Sequence, residues 1–380
     1  MGEPSTLPSQ LGPAARSARI ERDALLRAHD FDAAPFAVAW EVTRACAYSC
    51  VHCRADAQPK RDPRELDTVE GKRLIDMLAG FGTHPILVLT GGDPLMRRDL
   101  FELARYADER GLRVSLTPTA TALPTRERMR EASAAGIRRV AFSLDGAIPA
   151  VHDRFRGFDG SFTRTLAGMR NATDEDLPIQ INTTVCANNV NQLEQLVPLL
   201  EASGVVQWSV FFLVPIGRGA RLAMLTADEH EATLGWLFEL ASRAPFDVKA
   251  TAAPQYRRIV RQRSRQGAGS GAGFHFPDGL DRPGHGKGVN DGRGFMFISH
   301  LGEVMPSGFL PLSVGNVREH DPVALYRDSP LFRELRDPSA LGGKCGRCEF
   351  REVCGGSRAR AFAVTGDHLA ADPSCPYQPA

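Results

Sequence analysis

The sequence predicts an α/β fold: a partial (β/α)6, TIM-like barrel followed by a small cysteine-bearing C-terminal domain. Three observations predict it. β-rich runs alternate with helical ones, and parallel neighbours need such crossovers, so the order implies a parallel sheet. Polar and glycine-rich motifs fall just after the β-rich runs, where a parallel barrel gathers its chemistry. Seven of the eight cysteines lie in two clusters near opposite ends of the chain. With 380 residues, 43% of them hydrophobic, the chain is long enough for one large α/β domain and a smaller one.

The elements follow in order. Residues 1–34 are a Pro/Ala/Arg-rich leader, expected to be flexible, and the barrel is expected over 35–235. Its strands are "FAVAWEVT", "PILVLTGG", "LRVSLTPT", "RRVAFSLDG", "IQINTTV" and "QWSVFFLVPIG". Between them lie helical patterns such as "TVEGKRLIDMLAGFG" and "NNVNQLEQLVPLLEASG", the latter with leucines every three or four residues and a glycine stop. Six such units rather than eight make the barrel partial. Residues 236–293 read as a helical and Gly-rich linker, whose stretch "GAGSGAGFHFPDGLDRPGHGKGVNDGRG" has the glycine density of a mobile loop. Residues 294–380 carry a hairpin, "FMFISHLGEVMPSGFLPL", and then the second cysteine cluster.

Charge and hydropathy exclude some function classes. Lys+Arg 46 against Asp+Glu 45 leaves a net charge of +1, so no strong field favours nucleic acid or an anionic membrane. No apolar run approaches the roughly 20 residues of a membrane span. The first stretch lacks the charged-then-apolar order of a secretion signal, so a cytoplasmic location is expected. A disulfide framework suits small secreted chains, whereas cytosolic thiols at C-x-x-C spacing bind metal or do redox work.

Residues 46–53 read "CAYSCVHC", which places Cys46, Cys50 and Cys53 on one turn-rich stretch after the first strand. Three thiolates can each hold one iron of a [4Fe–4S] cubane and leave the fourth iron open to a substrate or cofactor. Zinc is the metal alternative. It wants four ligands in a structural site, and His52 lies between two of the thiols, poorly placed to join them. Buried cysteines on one helix face are the other alternative, against which stands the weak helix propensity of "AYSCVH".

"EVTRACAYSCVHC" resembles the signature of the radical S-adenosylmethionine superfamily, whose cluster loop follows the first strand of a partial barrel. "TGGDPLMRRDL" at 90–100 resembles that family's second-strand glycine motif, usually G-G-E, and "SLDGAIPAVHDRFRG" at 143–157 resembles its fourth-strand motif. The similarity runs from about residue 35 to 375. It implies that the open iron chelates S-adenosylmethionine, that one electron breaks the C5′–S bond, and that the 5′-deoxyadenosyl radical takes hydrogen from an unactivated C–H. It further implies that Gly91 and Gly92 let backbone groups approach the methionine end, and that Asp93 accepts from its ammonium. Ser143 and Asp145 would meet ribose or carboxylate, with Asn182 and Pro215 as further cofactor contacts. Asp93 as a helix cap and Arg156 as a loop anchor are the alternatives.

Cys345, Cys348, Cys354 and Cys375 form a C-x-x-C-x5-C pattern with a distant fourth thiol, enough for a tetrahedral zinc or a fully ligated cubane. The segment resembles the auxiliary-cluster domain called SPASM or its shorter relative, twitch, which implies an auxiliary [4Fe–4S] cluster. Ser307 stands where the full SPASM pattern has a cysteine, and no cysteine lies between Cys186 and Cys345, so one auxiliary cluster is expected. Its expected role is electron transfer, with a structural role as the alternative. Cys186 reads as a buried small hydrophobe.

"CVHCRADA" and "CEFREVCGGSRARA" are similar to two sets of radical enzymes, one modifying tetrapyrrole side chains in alternative haem and haem d1 pathways, the other maturing peptides, as in the mycofactocin system. The short segment before the barrel leaves little room for a winged-helix leader-recognition module, which favours a tetrapyrrole. Arg156 and Arg218 are then expected to pair with its carboxylates. A low-potential donor such as flavodoxin or ferredoxin is the expected partner. A non-catalytic iron–sulfur electron carrier or sensor is the alternative from another class.

Overall fold

In the computed structural model, residues 11–267 and 288–380 are described. The Gly-rich stretch from 268 to 287 lies outside them. The chain opens with α1 (Pro13–Ala28), then β1 (Ala37–Glu41), α2 (Thr68–Ala79), β2 (Ile86–Thr90), α3 (Leu100–Glu109), β3 (Arg113–Leu116), α4 (Arg126–Ala134) and β4 (Ile137–Ser143). Next come α5 (Pro149–Arg156), α6 (Ser161–Thr173), β5 (Ile179–Val185), α7 (Leu193–Ala202), β6 (Gln207–Phe212), α8 (Ala227–Arg243), β7 (Asp247–Thr251) and α9 (Gln255–Gly267). The C-terminal part holds β8 (Phe295–Ile298), β9 (Glu303–Met305), β10 (Gly315–Asn316), α10 (Pro322–Asp328), α11 (Pro330–Arg336), α12 (Gly343–Arg347) and α13 (Arg358–Thr365).

The fold is a mostly parallel α/β sheet, as its periodicity predicts. All ten strands form one sheet in the order β10-β9-β8-β1-β2-β3-β4-β5-β6-β7. The six expected strands are its centre, β1 through β6, each parallel to the next. Two features were not legible in the sequence. β7 adds a seventh parallel strand beside β6, inside the stretch read as linker. Only its first two residues are buried and Asp247 and Lys249 interrupt it, so it lacks the apolar run that marks the others. β8, the first arm of the expected hairpin, pairs parallel with β1, which makes the sheet continuous with the C-terminal part. In the leader, α1 packs Leu11 and Ala15 against Val206, just before β6.

Helix starts follow local chemistry. α2 and α8 each begin with a reciprocal capping box, Asp67 with Glu70 and Thr226 with Glu229. Strand alternation sets which side chains reach the barrel interior. On β5, Ile179, Ile181 and Thr183 are buried beneath the helices, and Thr183 accepts from Trp208, whose ring packs edge-on against Trp236 of α8. The opposite face carries Gln180, Asn182 and Thr184. Registers align Ser143 of β4 with Asn182, and Asn182 with Ser209 of β6, giving one polar rung near the C-terminal strand ends.

Candidate active site: a three-cysteine loop and a four-cysteine recess

The first loop leaves β1 after Glu41 and closes on itself where Cys46 N donates to Gln58 O at 2.8 Å and Gln58 N donates to Arg44 O at 3.0 Å. Glu65, which sequence reasoning missed, braces its stem by accepting from Thr43 Oγ1 and Arg44 N, both at 2.9 Å. Nothing local marks that role, because the pairing spans over twenty residues. Cys46 and Cys50 are buried and Cys53 is half-buried. Backbone amides point at the sulfurs: Tyr48 N to Cys46 Sγ at 3.4 Å and Ala57 N to Cys53 Sγ at 3.5 Å. Burial holds the Cys46 and Cys50 thiols above their ordinary value, so thiolates there depend on donors and a bound cation.

Neighbouring strand ends grip this loop. Gly92 N donates to Thr43 O at 2.8 Å and Asp93 N to Ala45 O at 2.7 Å. A Cβ on Gly91 would lie 2.3 Å from Thr43 O, and one on Gly92 2.4 Å from Ala45 O, so both glycines let β2 lie against the loop's stem. From the other side Gly217 (φ +52°) leaves no room for a Cβ beside Cys53 O, which would sit at 2.7 Å. Arg218 N donates to that same oxygen at 3.0 Å, and Arg218 Nε to Cys50 O at 2.8 Å. Its Nη1 reaches Asp56 Oδ1 at 3.0 Å.

The charged residues beside the loop all have partners within the protein. Asp93 is fully buried and accepts from Leu95 N at 3.2 Å, Thr119 N at 3.3 Å and Thr121 Oγ1 at 2.9 Å. It caps a 3-10 turn. Burial pushes its carboxyl up to about 6. Asp145 faces Arg156 at 2.9 Å, close enough for an ion pair though not aligned as a hydrogen bond, and accepts from Thr184 N at 2.8 Å. Burial would raise its pKa, but Arg156, with His52 and His152, outweighs burial and lowers it. Arg156 in turn donates to Cys50 Sγ at 3.6 Å. Arg156 and Arg218 therefore both hold the loop, Arg156 at the Cys50 sulfur and Arg218 at the Cys50 and Ala57 carbonyls.

Ser143 keeps its access. With Tyr48, Thr119, Ala120, His152, Arg156 and Thr165 among its neighbours, it lines a small cavity beside the loop, about 200 Å³ when counted out to solvent. Thr119 Oγ1 lies 3.7 Å from Cys46 Sγ and donates to Gly92 O at 2.7 Å. Thr119 ends the run "LRVSLTPT", and that polar strand end was the available signal. Asn182 is half-buried in the rung beside Ser143 and accepts from Gln180 Nε2 at 2.7 Å. Pro215 sits in a tight turn where Ile216 N donates to Val214 O at 2.8 Å, next to the Gly217–Arg218 clamp.

The four C-terminal cysteines lie near one another. Cys345, Cys348, Cys354 and Cys375 all line one recess of about 360 Å³, counted out to solvent. Asp372 N donates to Cys345 Sγ and Gly356 N to Cys354 Sγ, both at 3.4 Å. Gly355 and Gly356 have φ of +69° and +64°, turning the backbone at Cys354. Burial pushes the Cys354 thiol up to about 12. Arg258 and Lys344 also line the recess, so positive charge faces the four sulfurs.

Among the described residues no three His, Cys, Asp or Glu side chains converge on a single-ion site. Three thiols on one loop and four lining one recess are donors of the kind that iron–sulfur clusters take. A sulfur-rich, amide-lined donor set beside a half-polar cavity at the C-terminal end of a parallel barrel defines a class: an iron–sulfur enzyme that binds a small cofactor at an open cluster. A family model described as the radical SAM superfamily matches residues 40–199, and the chain belongs to that superfamily. Its members use a [4Fe–4S] cluster and S-adenosylmethionine, and so does this enzyme. The chain is 43% identical over 347 residues to the AdoMet-dependent heme synthase of Methanosarcina barkeri, covering 91% of this chain and 97% of that one. It is 31% identical over 356 residues to the mycofactocin maturase MftC of Mycolicibacterium smegmatis, covering 90% of this chain and 83% of that one. Among solved structures, Streptococcus suis SuiB bound to S-adenosylmethionine matches with a TM-score of 0.69 at 14% identity, over 95% of this chain and 82% of that one. Among the described residues no helix is long and apolar enough to cross a membrane.

Proposed function

We propose that this radical SAM enzyme takes hydrogen from a C–H bond on a substituent of a tetrapyrrole bearing carboxylates. The observation that carries this reading is the 43% identity, end to end, with an AdoMet-dependent heme synthase, against 31% with the peptide-linked mycofactocin maturase. Cys46, Cys50 and Cys53 would hold the cluster that binds S-adenosylmethionine, whose reductive cleavage supplies the hydrogen-abstracting radical. The protein's own residues position that chemistry. Arg156 and Arg218 hold the loop's shape, Gly91 and Gly92 set its stem against β2, and Ser143, Asn182 and Pro215 bound the cofactor's side of the barrel mouth. Asp93 acts one step back, fixing Thr119 and Thr121.

Cys345, Cys348, Cys354 and Cys375 would hold one auxiliary [4Fe–4S] cluster that passes an electron during turnover. A low-potential donor of the flavodoxin or ferredoxin kind would supply the first electron. The test is anaerobic titration of the reconstituted enzyme with iron-coproporphyrin. A shift of the Soret band at micromolar concentration, with 5′-deoxyadenosine formation rising on its addition, is the expected result. No spectral change, together with deoxyadenosine formation stimulated by a co-encoded peptide, would replace this reading with peptide maturation.

A further inference from the structure

Arg156 and Arg218 are bound into the loop, and a third arginine stands beside it. Arg54, directly after Cys53, has the right surroundings. Its Nη1 lies 3.1 Å from Glu41 Oε2, at the C-terminal end of β1, with 20% of the Arg54 side chain still accessible. The other carboxylate oxygen of Glu41 meets His300 Nδ1 at 2.7 Å, two residues beyond β8. Burial would raise the Glu41 pKa, but Arg54 and His300 outweigh it and keep the carboxyl lowered. The guanidinium lies over the ring of Phe297, 4.4 Å from its centroid. A Cβ on Gly308, in the C-terminal hairpin, would come within 2.8 Å of Arg54 Nε, so glycine there leaves the guanidinium its space.

We infer that Arg54 is the substrate-carboxylate clamp, with Glu41 as its positioning residue. This rests on the tetrapyrrole reading above. β1 and β8 run parallel, so Glu41, His300 and Arg54 share the C-terminal face of the barrel with the cysteine loop. They stand on its β1–β8 side, whereas Ser143, Thr119 and Tyr48 bound the cavity on the β3–β4 side. A cofactor on one side of the loop leaves the other for the substrate. Among the described residues the polar partners of Arg54 are confined to Glu41, whereas Arg360 in the same molecule is ringed by Asp372 and three backbone carbonyls. Arginine held at one edge and on one face, with donors remaining, is suited to a bidentate carboxylate.

The test compares iron-coproporphyrin as its free tetra-acid with its methyl ester, by Soret titration of the reconstituted enzyme, in the wild type, Arg54→Ala, Arg54→Lys and Gly308→Ala. The wild type should bind the acid about tenfold or more tightly than the ester. Arg54→Ala should lose that preference through weaker acid binding, and Arg54→Lys should restore part of it. Gly308→Ala, which keeps every charge but crowds the guanidinium, should fall between them and serves if Arg54→Ala loses its iron. An undiminished acid preference in Arg54→Ala or Gly308→Ala would overturn the inference while leaving the tetrapyrrole reading intact. So would a loss of S-adenosylmethionine affinity with porphyrin affinity unchanged. No Soret shift in the wild type would overturn both.

Discussion

The three-cysteine loop is held by residues arriving from the ends of β2, β3, β4 and β6, whereas the four-cysteine recess is held mainly by its own segment and by α9. Around the loop, Gly92, Thr119, Arg156 and Arg218 each come from a different strand end or the helix that follows it. Around the recess, Asp372, Gly356 and Lys344 lie within the same thirty-odd residues, and Gln255 Nε2 ties Asp372 to α9 at 2.6 Å. The difference fits the roles proposed for the two sites. An open iron would need a fixed position relative to a cofactor bound across several strand ends, and so a loop registered against the sheet. A fully ligated cluster would need only its four thiols and a short electron path.

Removing single ligands should break this contrast most sharply. Any one of Cys46→Ala, Cys50→Ala or Cys53→Ala should abolish 5′-deoxyadenosine formation, measured by chromatography, because three anchors define the open iron. The auxiliary iron should remain. The wild type should contain about eight irons per molecule, two cubanes, and the triple variant about four. Cys375→Ala should give the complementary result: deoxyadenosine is still made, but little product. Unchanged product turnover in that variant would leave the recess a structural role.

Arg218→Ala sharpens the comparison at the next level. It deletes contacts to Cys50 O and Asp56 without touching a ligand. S-adenosylmethionine cleavage should fall about 10-fold, as for residues that orient ligands. Gly217→Ala should act in the same direction, since a left-handed alanine costs roughly 1–2 kcal/mol before its clash with Cys53 O is counted. Neither should alter the acid-over-ester preference for porphyrins.

The architecture was legible because six apolar runs alternate with helical ones, and both thiol sets were legible because cysteine spacing survives as a local pattern. The bracing was not. Arg156 and Arg218 carry positive charge in segments that follow strands, and nothing in "HDRFRG" or "IGRGARL" says whether that charge faces a substrate or the cysteine loop more than a hundred residues earlier. Asp93 shows the same limit: its position in a G-G-E-like motif suggests a cofactor contact, and the motif says nothing of its burial or of the three protein donors it meets. β7 was lost because Asp247 and Lys249 break the apolar run by which the other strands show themselves.

Asp93 supplies the smallest effect. Its folded pKa of about 6 lies above the ordinary 3.8, so the folded state holds a proton that the unfolded state has released. Stability therefore falls as pH rises through that window and levels off above the folded value. Between pH 5 and 7 the wild type should lose about 1 kcal/mol relative to Asp93→Asn, read from anaerobic denaturant midpoints. Parallel curves for the two proteins would show that the carboxyl titrates normally.

The division of labour between the two sites is tested most directly by electron paramagnetic resonance of dithionite-reduced protein with and without S-adenosylmethionine. Two variants each keep one cysteine set: Cys345, Cys348, Cys354 and Cys375 all replaced by Ala, or Cys46, Cys50 and Cys53 all replaced by Ala. The cofactor should change the cluster signal of the first variant and leave that of the second unaltered. A cofactor-induced change in the second, or none in the first, would contradict the assignment of the open cluster to the β1 loop.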